Sequence, residues 1–297
     1  MGPEMVIAEM ADSDLREVVG LLNSFYRGSH EFAEYTPQNF RSYLQEVCAR
    51  VFVLKAGGTK GVATLFKSGW GNKIDLFAVE PGPRSKEFGD ALVSAIEAVA
   101  GVDRLYTIIE EGDPSIGEWR ERGYLDDGGW CQMVADLAEE LPIPPIRCQA
   151  TLRAMKLSDL ESMVSLTNAS FGFPRLSANC LDEWKKEDPE FDIDWIFVAE
   201  SDGKLVSMLV SKPDGEYNRN FGARRGYLGP AATLPDYRNK GLAAALTIMA
   251  MNSLKKRGMN SVNLYTSTKN TPSLGLLKKL GFRVNRTFLQ LTRTFRK

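Results

Sequence analysis

The sequence predicts an α/β protein made of two tandem domains that share one fold. A proline-rich segment, residues 141–146, divides the 297-residue chain into two nearly equal halves. Each half has the same predicted order of strands and helices, which indicates an internal duplication. Three prolines within four positions break helices and interrupt sheets. We therefore expect domains at residues 1–140 and 147–297, joined by a stiff linker at 141–146.

The elements of the first half follow from hydrophobic periodicity and turn residues. Gly57-Gly58 predicts a hairpin between its second and third strands, and Asp12 or Ser13 can cap its first helix. The expected strands are 5–10, 51–56, 60–66, 74–79 and 104–109, and the expected helices are 12–26, 38–47 and 91–100.

The second half repeats this pattern. Asp202-Gly203 predicts the hairpin, and Ser158 can cap the first helix. The expected strands are 149–154, 195–201, 205–212, 226–233 and 261–266, and the expected helices are 158–169, 179–186, 243–256 and one that begins at Asn270. Each half is expected to follow the order β-α-α-β-β-β-α-β-α-β-β.

The segment between the strand 226–233 and the helix 243–256 predicts a phosphate site. The first amides of a helix have no internal partner, and glycine, here Gly241, lets a backbone approach an anion closely. Arg238 and Lys240 precede the helix, where a cation opposes the helix dipole by about 0.3–1 kcal/mol. A solvated helix start is the alternative interpretation, but two cations there favour a bound anion. The segment contains neither the P-loop pattern G-x-x-x-x-G-K-[ST] nor the dinucleotide-binding pattern G-x-G-x-x-G, so both of these phosphate sites are excluded.

Two motifs carry a family resemblance. Pro235-x-x-Arg238-x-x-Gly241-x-Ala243 resembles the acyl-CoA pyrophosphate loop of the GCN5-related N-acetyltransferase (GNAT) family. Residues 270–282 resemble a second motif of this family. The residues at matching positions are Asn270, Ser273, Leu276, Gly281 and Phe282. The resemblance implies that each half is a central mixed, mostly antiparallel sheet flanked by helices (α+β mixed).

The resemblance also implies that acetyl-CoA or CoA binds as cosubstrate where two strands splay apart. A backbone amide near Ala232 would polarise the thioester carbonyl. The expected cofactor-binding residues are Ala231, Ala232, Thr233, Arg238, Asn239, Lys240, Gly241, Leu242, Ala243, Asn270 and Ser273.

The catalytic residues stay open at this stage. The family's tyrosine, which protonates the leaving thiolate, is replaced by Leu277, and a leucine cannot donate a proton. Tyr265 is a possible substitute, although a half-buried strand aromatic explains it equally well. Glu216 and Asp214 are candidate bases, with surface carboxylates of a β-hairpin as the alternative.

The first half repeats the spacing of the phosphate motif with Pro83, Lys86, Gly89 and Ala91. Glu87 and Asp90 flank this glycine and would repel a pyrophosphate, and Trp119 stands at the tyrosine position. We therefore expect a degenerate copy that keeps the fold and binds CoA weakly or not at all.

Charge is distributed unevenly. Residues 1–146 carry 13 Lys+Arg and 24 Asp+Glu, whereas residues 147–297 carry 24 and 14. This predicts an anionic ligand on the second half and attraction between the halves, as in a monomer with an intramolecular pseudo-dimer. Nucleic acid is the rival ligand, but the basic residues are spread out and an RNP-like aromatic platform is missing.

Composition restricts the remaining classes. The chain lacks an apolar run long enough for a membrane span. Its scattered cysteines are typical of a reduced, cytoplasmic protein: Cys48, Cys131, Cys148 and Cys180. His30 is the only histidine and is expected in a loop or at a helix end, so we predict no metal site.

The sequence thus predicts an acyl-CoA-dependent N-acyltransferase that transfers an acetyl group to a small-molecule or peptide amine. A non-catalytic acyl-CoA-binding or regulatory module is the alternative, because Leu277 replaces the usual acid. The sequence leaves the identity of the acceptor open.

Overall fold

The computed structural model describes residues 3–68 and 71–295. Contacts divide the chain into two compact units, Met1–Gly129 with Thr287–Lys297 (unit 1) and Trp130–Arg286 (unit 2). The boundary therefore lies ahead of the predicted linker 141–146, and the last residues belong to unit 1. The cause is two long strands, each of which contributes residues to both units.

In chain order the helices and strands are as follows. Unit 1 and the strand that leaves it contain β1 (Val6–Glu9), α1 (Leu15–Tyr26), α2 (Pro37–Glu46), β2 (Arg50–Lys55), β3 (Thr59–Ser68), β4 (Gly71–Val79), α3 (Ser85–Ala100), β5 (Arg104–Glu110), α4 (Ile116–Glu121) and β6 (Leu125–Asp136). There follow β7 (Thr151–Ala154), α5 (Leu160–Phe171), α6 (Cys180–Glu187), β8 (Ile196–Ser201), β9 (Lys204–Pro213), α7 (Gly215–Phe221), β10 (Arg225–Thr233), α8 (Leu242–Lys256), β11 (Ser261–Ser267), α9 (Thr271–Lys279) and β12 (Arg283–Thr294).

Unit 1 is built on a mixed sheet in the order β1-β2-β3-β4-β5-β12, to which β12 contributes residues 288–294. All neighbours are antiparallel except β4 and β5. Helix α1 places Leu15, Val18, Val19 and Leu22 on one buried face, the spacing of an amphipathic helix. Helix α3 buries Leu92 and Ile96 in a second cluster of this unit.

Unit 2 is built on a sheet in the order β6-β11-β10-β9-β8-β7, to which β6 contributes residues 130–136. Here β10 and β11 are the parallel pair. Helix α8 is buried along most of its length and packs on β8, β9 and β10, whereas α5 packs on β9 and β10. Both units therefore have the predicted mixed, mostly antiparallel sheet flanked by helices.

The duplication is visible in individual hydrogen bonds. The Asn23 side chain accepts from the amide of Tyr35 and donates to its carbonyl, and the Asn168 side chain bonds Leu176 in the same two ways. Asp14 in unit 1 and Asp159 in unit 2 each accept the amide three residues before them. Helices α1 and α5 thus correspond residue for residue, so that Tyr26 corresponds to Phe171.

Four sequence expectations need correction. Each half ends in one long strand, β6 or β12, rather than two. Helix α7 was not predicted, because its seven residues carry no strong apolar period. Helix α3 begins at Ser85 instead of residue 91, so Gly89 lies inside a helix. The spacing match between Gly89 and Gly241 therefore does not hold in the structure, although the duplication does.

Candidate functional site

The two parallel strands of unit 2 separate after a short paired stretch. Pairing joins Arg225–Tyr227 to Ser261–Asn263, yet β10 continues to Thr233 and β11 to Ser267. A β-bulge interrupts β10 between Leu228 and Ala231, which increases local twist. The predicted splay between these strands is therefore present, and one edge of β10 faces a gap.

The register of β10 against β9 tells which backbone groups face that gap. The Leu234 amide donates to the Val206 carbonyl at 2.9 Å, so Leu234 and Ala232 face β9. Because alternate residues of an antiparallel strand point to opposite edges, Ala231 and Thr233 face the gap. An amide near Ala232 that points into the gap is therefore that of Ala231 or Thr233. The Thr233 carbonyl already accepts from Arg238 Nε at 3.2 Å.

The turn between β10 and α8 presents a run of free amides. The first hydrogen bond of α8 joins the Ala245 amide to the Gly241 carbonyl. Within residues 3–68 and 71–295, no hydrogen bond uses the amides from Asn239 to Ala244. Asn239 (φ 60°) and Gly241 (φ 88°) both adopt left-handed conformations, which make successive amides converge as in an anion-binding nest.

Arg147, which the sequence argument missed, holds this turn. Its guanidinium donates to the Asn239 carbonyl at 2.6 Å, and its amide donates to the Lys240 carbonyl at 2.7 Å. In a trans peptide the N–H points opposite to the C=O, so these two bonds direct the amides of Lys240 and Gly241 away from Arg147. No local pattern marks Arg147, because it lies 92 positions from Asn239 in sequence.

The structure explains the glycine at position 241 by the packing of the chain itself rather than by close approach of a ligand. A Cβ at this position would lie 2.9 Å from the Pro145 carbonyl oxygen and 3.5 Å from the Ile146 Cα. The segment before Arg147 therefore packs directly on the glycine. Any side chain here would displace this segment as well as strain a positive φ.

Asn270 and Ser273 have structural partners. Asn270 caps helix α9, and its side-chain oxygen accepts from the Ser273 amide at 3.3 Å. The Ser273 hydroxyl lies 3.3 Å from that of Thr266 on β11. Both residues therefore organise the start of α9, and their contact with a cofactor stays a prediction.

Leu277, at the position of the family tyrosine, and Tyr265, its candidate substitute, lie in opposite environments. Leu277 is 5% exposed and belongs to the apolar core of unit 2. Tyr265 on β11 is 43% exposed, and its hydroxyl accepts from Nε2 of the fully buried Gln132 at 3.1 Å. The Gln132 Oε1 in turn accepts from Asn285 at 2.8 Å. The Tyr265 hydroxyl is thus held by a residue of β6, and Tyr265 itself lies on β11, one of the two strands that border the gap.

The candidate bases do not lie in a β-hairpin. Asp214 precedes helix α7 and is paired with Arg225 at 2.8 Å, and Glu216 is exposed in the first turn of the same helix. The hairpin interpretation was wrong because α7 is inserted between β9 and β10. Tyr227, the last paired residue of β10, is largely buried, and this burial raises the pKa of its phenol.

In unit 1 the backbone that corresponds to the open edge of β10 is bonded by a side chain. The Glu80 amide donates to Lys60 as that of Leu234 does to Val206, so Phe77 corresponds to Ala231. The Phe77 carbonyl accepts from the Tyr26 hydroxyl at 3.0 Å. Its ring packs edge-on against Trp119 at 5.0 Å, and the buried Arg122 guanidinium lies over both rings.

Arg122 also changes the chemistry around Gly89. One guanidinium nitrogen would lie 2.7 Å from a Cβ at Gly89, and the guanidinium pairs with Asp90 and Glu118. Burial raises the pKa of Asp90, but hydrogen bonds from Lys86 and Arg122 lower it below its ordinary value. The hydrogen bond from Arg84 lowers the pKa of Glu87. The carboxylates that were expected to repel a pyrophosphate are therefore bound by neighbouring cations.

His30 is exposed in the turn after α1, as predicted, and all four cysteines are unpaired. In the described ranges, no group of three histidine, cysteine or acidic side chains is placed to hold a metal ion. No helix of these ranges is both long and apolar enough to cross a membrane.

Comparison with known proteins places these observations in a family. Residues 160–282 match the model of the acetyltransferase (GNAT) family. The mycothiol acetyltransferase of Saccharomonospora viridis is 27% identical over 231 residues, 74% of this chain and 74% of that protein. That of Amycolatopsis mediterranei is 26% identical over 80% of this chain and 81% of its own length.

Solved structures match the whole chain. A GCN5-related N-acetyltransferase from Sphaerobacter thermophilus has a TM-score of 0.72 at 15% identity, covering 100% of this chain and 98% of its own. A tandem GNAT protein from the clavulanic acid biosynthesis pathway has a TM-score of 0.66 at 15% identity, covering 98% of both chains. At this identity the likeness concerns the fold, and it extends over both units.

Proposed function

We propose that this chain is an acyl-CoA-dependent N-acetyltransferase of the GNAT family and that unit 2 holds acetyl-CoA at the turn between β10 and α8. The observation that carries the proposal is the run of unpartnered amides from Asn239 to Ala244. A diphosphate would satisfy several of them at once, and the start of α8 favours negative charge. Arg238 and Lys240 add two cations to the same turn.

The pantetheine arm then lies along the open edge of β10. The backbone groups of Ala231 face the gap and have no partner among the described residues. An extended arm can add to such an edge as an extra strand would. The gap narrows towards the bulge at residues 229–230, so the thioester would lie near the last paired residues of β10 and β11.

The chemistry that this arrangement supports is direct attack of an amine on the thioester. Holding both reactants together replaces a bimolecular encounter, and a gap-facing amide of Ala231 or Thr233 would polarise the carbonyl. Tyr265 would protonate the departing thiolate in place of the absent family tyrosine, because its hydroxyl is held by Gln132. Tyr265 lies on β11, one of the two strands that border the gap, whereas Glu216 lies on helix α7.

Unit 1 would retain the fold without a working cofactor site. Tyr26 occupies the carbonyl of Phe77, and the connector from β4 enters α3 without a left-handed nest. We propose that unit 1 is the degenerate copy expected for residues 1–140 and that unit 2 is the active copy expected for residues 147–297. The protein would act in the cytoplasm as a monomer.

The acceptor is proposed by class. The relatives in Saccharomonospora and Amycolatopsis are named mycothiol acetyltransferases. We propose that the acceptor here is likewise a small-molecule or peptide amine. The substrate of those relatives belongs in the first panel of amines to be tested.

Two measurements test the proposal. Calorimetry with CoA should give one binding site per chain, and thiol release from acetyl-CoA should depend on an added amine. Binding without turnover on any amine would favour the non-catalytic alternative. Absence of both heat and turnover would contradict the assignment of the turn.

A further inference from the structure

Asn263 occupies the point at which the two parallel strands of unit 2 separate. It pairs with Tyr227 in the last rung between β10 and β11. Paired residues of neighbouring strands lie on the same face of a sheet, and alternate residues of one strand share a face. The side chains of Tyr227, Asn263 and Tyr265 therefore project from one face, at the closed end of the gap.

The Asn263 side chain has an unsatisfied acceptor. The residue is 1% exposed, and its Oδ1 has no hydrogen-bond partner among the described residues. Buried polar atoms in native proteins are bonded in the great majority of cases, because an unpaired one loses its solvation without compensation. An exception at a reaction site indicates a group that arrives with a ligand.

Gln132 and Tyr265, two polar residues near Asn263, already have hydrogen-bond partners. Gln132 bonds both Tyr265 and Asn285, so its amide oxygen and nitrogen each have a partner. Tyr265 receives one of these bonds. Asn263 Oδ1 is thus a fully buried oxygen in this row of side chains that no described residue bonds.

The direction of the side chain separates the acceptor amine from the cofactor arm. The arm would bond to backbone groups in the plane of the sheet, at the edge of β10. The Asn263 oxygen instead projects out of that plane, at the end of the gap where the thioester would lie. An amine that approaches the thioester from this face of the sheet would come near Asn263.

We propose that Asn263 Oδ1 accepts a hydrogen bond from the acceptor amine and orients its lone pair towards the thioester carbon. This inference rests on the proposed function of unit 2. In the step, an N–C bond forms and the C–S bond breaks. The nitrogen releases one proton to solvent, and the thiolate takes up one proton. The bond to Asn263 uses an N–H of the amine and leaves the lone pair free to attack.

Unit 1 provides a matched position. Its last parallel rung joins Lys73 to Tyr106, so Tyr106 corresponds to Asn263. Tyr106 is also buried, but its hydroxyl lies 2.6 Å from that of Ser68 and is therefore satisfied. An unsatisfied acceptor at this position thus distinguishes unit 2 from unit 1.

The test compares Asn263→Leu, Asn263→Asp and the control Tyr106→Phe. The assay uses acetyl-CoA and a panel of methylamine, tyramine, glucosamine, spermidine and the amine substrate of the mycothiol acetyltransferases. For the best amine, we expect Asn263→Leu to raise its KM at least tenfold and to leave CoA affinity within twofold. Asn263→Asp retains an acceptor oxygen, so its amine KM should lie below that of Asn263→Leu and closer to that of the wild type. Tyr106→Phe should change neither quantity.

Several results would overturn the inference. An unchanged amine KM in Asn263→Leu would overturn it. A loss of CoA affinity as large as the rise in amine KM would also overturn it, because Asn263 would then contact the cofactor arm. A change confined to thermal stability would indicate a structural water on the oxygen. These outcomes leave CoA binding by wild-type protein intact and so differ from failure of the proposed function.

A binding measurement covers the case in which wild-type protein acetylates none of the panel. The side-chain amide NMR signals of Asn263, assigned by their loss in Asn263→Leu, are followed while CoA-saturated protein is titrated with each amine. Shifts that saturate with one amine support the contact. Signals that no amine moves overturn it.

Discussion

The Phe77 carbonyl of unit 1 accepts a hydrogen bond from Tyr26, whereas the corresponding Ala231 of unit 2 has no partner among the described residues. The residue that corresponds to Tyr26 in unit 2 is Phe171, which lacks a hydroxyl. One oxygen atom therefore distinguishes a covered strand edge from an open one. The two units share the order of their strands, yet among the described residues the proposed cofactor arm would meet free backbone groups at this strand edge in unit 2 and not in unit 1.

The connectors after the parallel strands differ in the same sense. In unit 1, residues 80–84 lead directly into α3, and the Ser85 amide is used by the Gly82 carbonyl. In unit 2, residues 234–241 form a 3-10 turn and a left-handed nest before α8 begins. The proposed loss of CoA binding in unit 1 therefore requires changes in side chains and connector length but no change of topology.

The largest expected effect concerns Tyr265, whose counterpart in unit 1 is the apolar Ile108. Tyr265→Phe should lower kcat by about a hundredfold, the usual contribution of a general acid. The acetyl-CoA KM should change less than twofold, because the ring and the strand remain. Steady-state kinetics with a saturating amine measures both constants.

A second variant, Leu277→Tyr, tests whether the family's tyrosine position can supply the proton instead of Tyr265. Leu277→Tyr restores the family residue, but it places a larger side chain with a polar hydroxyl at a position that is buried in the apolar core. It should cost about 1–3 kcal/mol of stability by overpacking and should not increase kcat. A gain in kcat with Leu277→Tyr, or full activity of Tyr265→Phe, would remove Tyr265 from the mechanism.

The next effect contrasts Gly241 with Gly89. Gly241→Ala places a Cβ against the Pro145 carbonyl at a positive φ, at a cost of about 2 kcal/mol. If this strain disrupts the nest, CoA affinity should fall by about thirtyfold in calorimetry. Gly89→Ala meets a guanidinium nitrogen of Arg122 within a helix and should leave CoA affinity unchanged. Equal losses would mean that both units bind CoA.

A smaller effect is expected at Arg147, with Arg84 at the start of α3 as the matched cation of unit 1. Arg147→Ala removes the side-chain bond to the Asn239 carbonyl and should weaken CoA binding about fivefold, since one such bond contributes about 1 kcal/mol. Arg84→Ala should have no effect on CoA. Turnover of S-acetylpantetheine, which lacks the diphosphate, should be unchanged in both variants.

The comparison between acetyl-CoA and its dephospho form separates two roles of Arg147. If Arg147 only orients the turn, both forms should lose affinity equally in Arg147→Ala. A loss restricted to the form with the 3′-phosphate would instead mean direct contact with that phosphate. That result would contradict the role in orienting the amides.

Sequence reasoning found the elements whose signals are local. The nest between β10 and α8 was predicted from Arg238, Lys240 and Gly241, because anion turns combine cations, glycine and a helix start within a few residues. Leu277 was recognised as unable to donate a proton from its identity alone. The fold class followed from the repeated order of elements.

What sequence reasoning missed depends on contacts between distant segments. The bonds of Arg147 to the turn, and of Tyr26 to Phe77, join residues 92 and 51 positions apart. The assignment of β12 residues to unit 1 likewise depends on pairing with β5. The orphan oxygen of Asn263 can be seen only when every neighbour of the side chain is known.

The smallest expected effect compares the carboxylates that open α1 and α5. Arg153 holds the pKa of Asp159 below its ordinary value of 3.8 by hydrogen bonding, and Lys55 does the same for Asp14. A carboxylate whose pKa is lower in the folded state contributes stability that is present above the unfolded-state pKa. That contribution is lost as the pH falls through the folded-state pKa.

Arg153→Met should therefore destabilise the protein by about 1 kcal/mol at pH 7, and the difference should shrink as the pH is lowered below 4. Lys55→Met should have a smaller effect, because Lys55 is about half exposed and its pair is screened by solvent. Urea unfolding of both variants and wild type at pH 7, 5 and 3 measures the two differences. A difference for Arg153→Met that stays constant over this range would show that Arg153 stabilises unit 2 by packing its aliphatic stem rather than through Asp159.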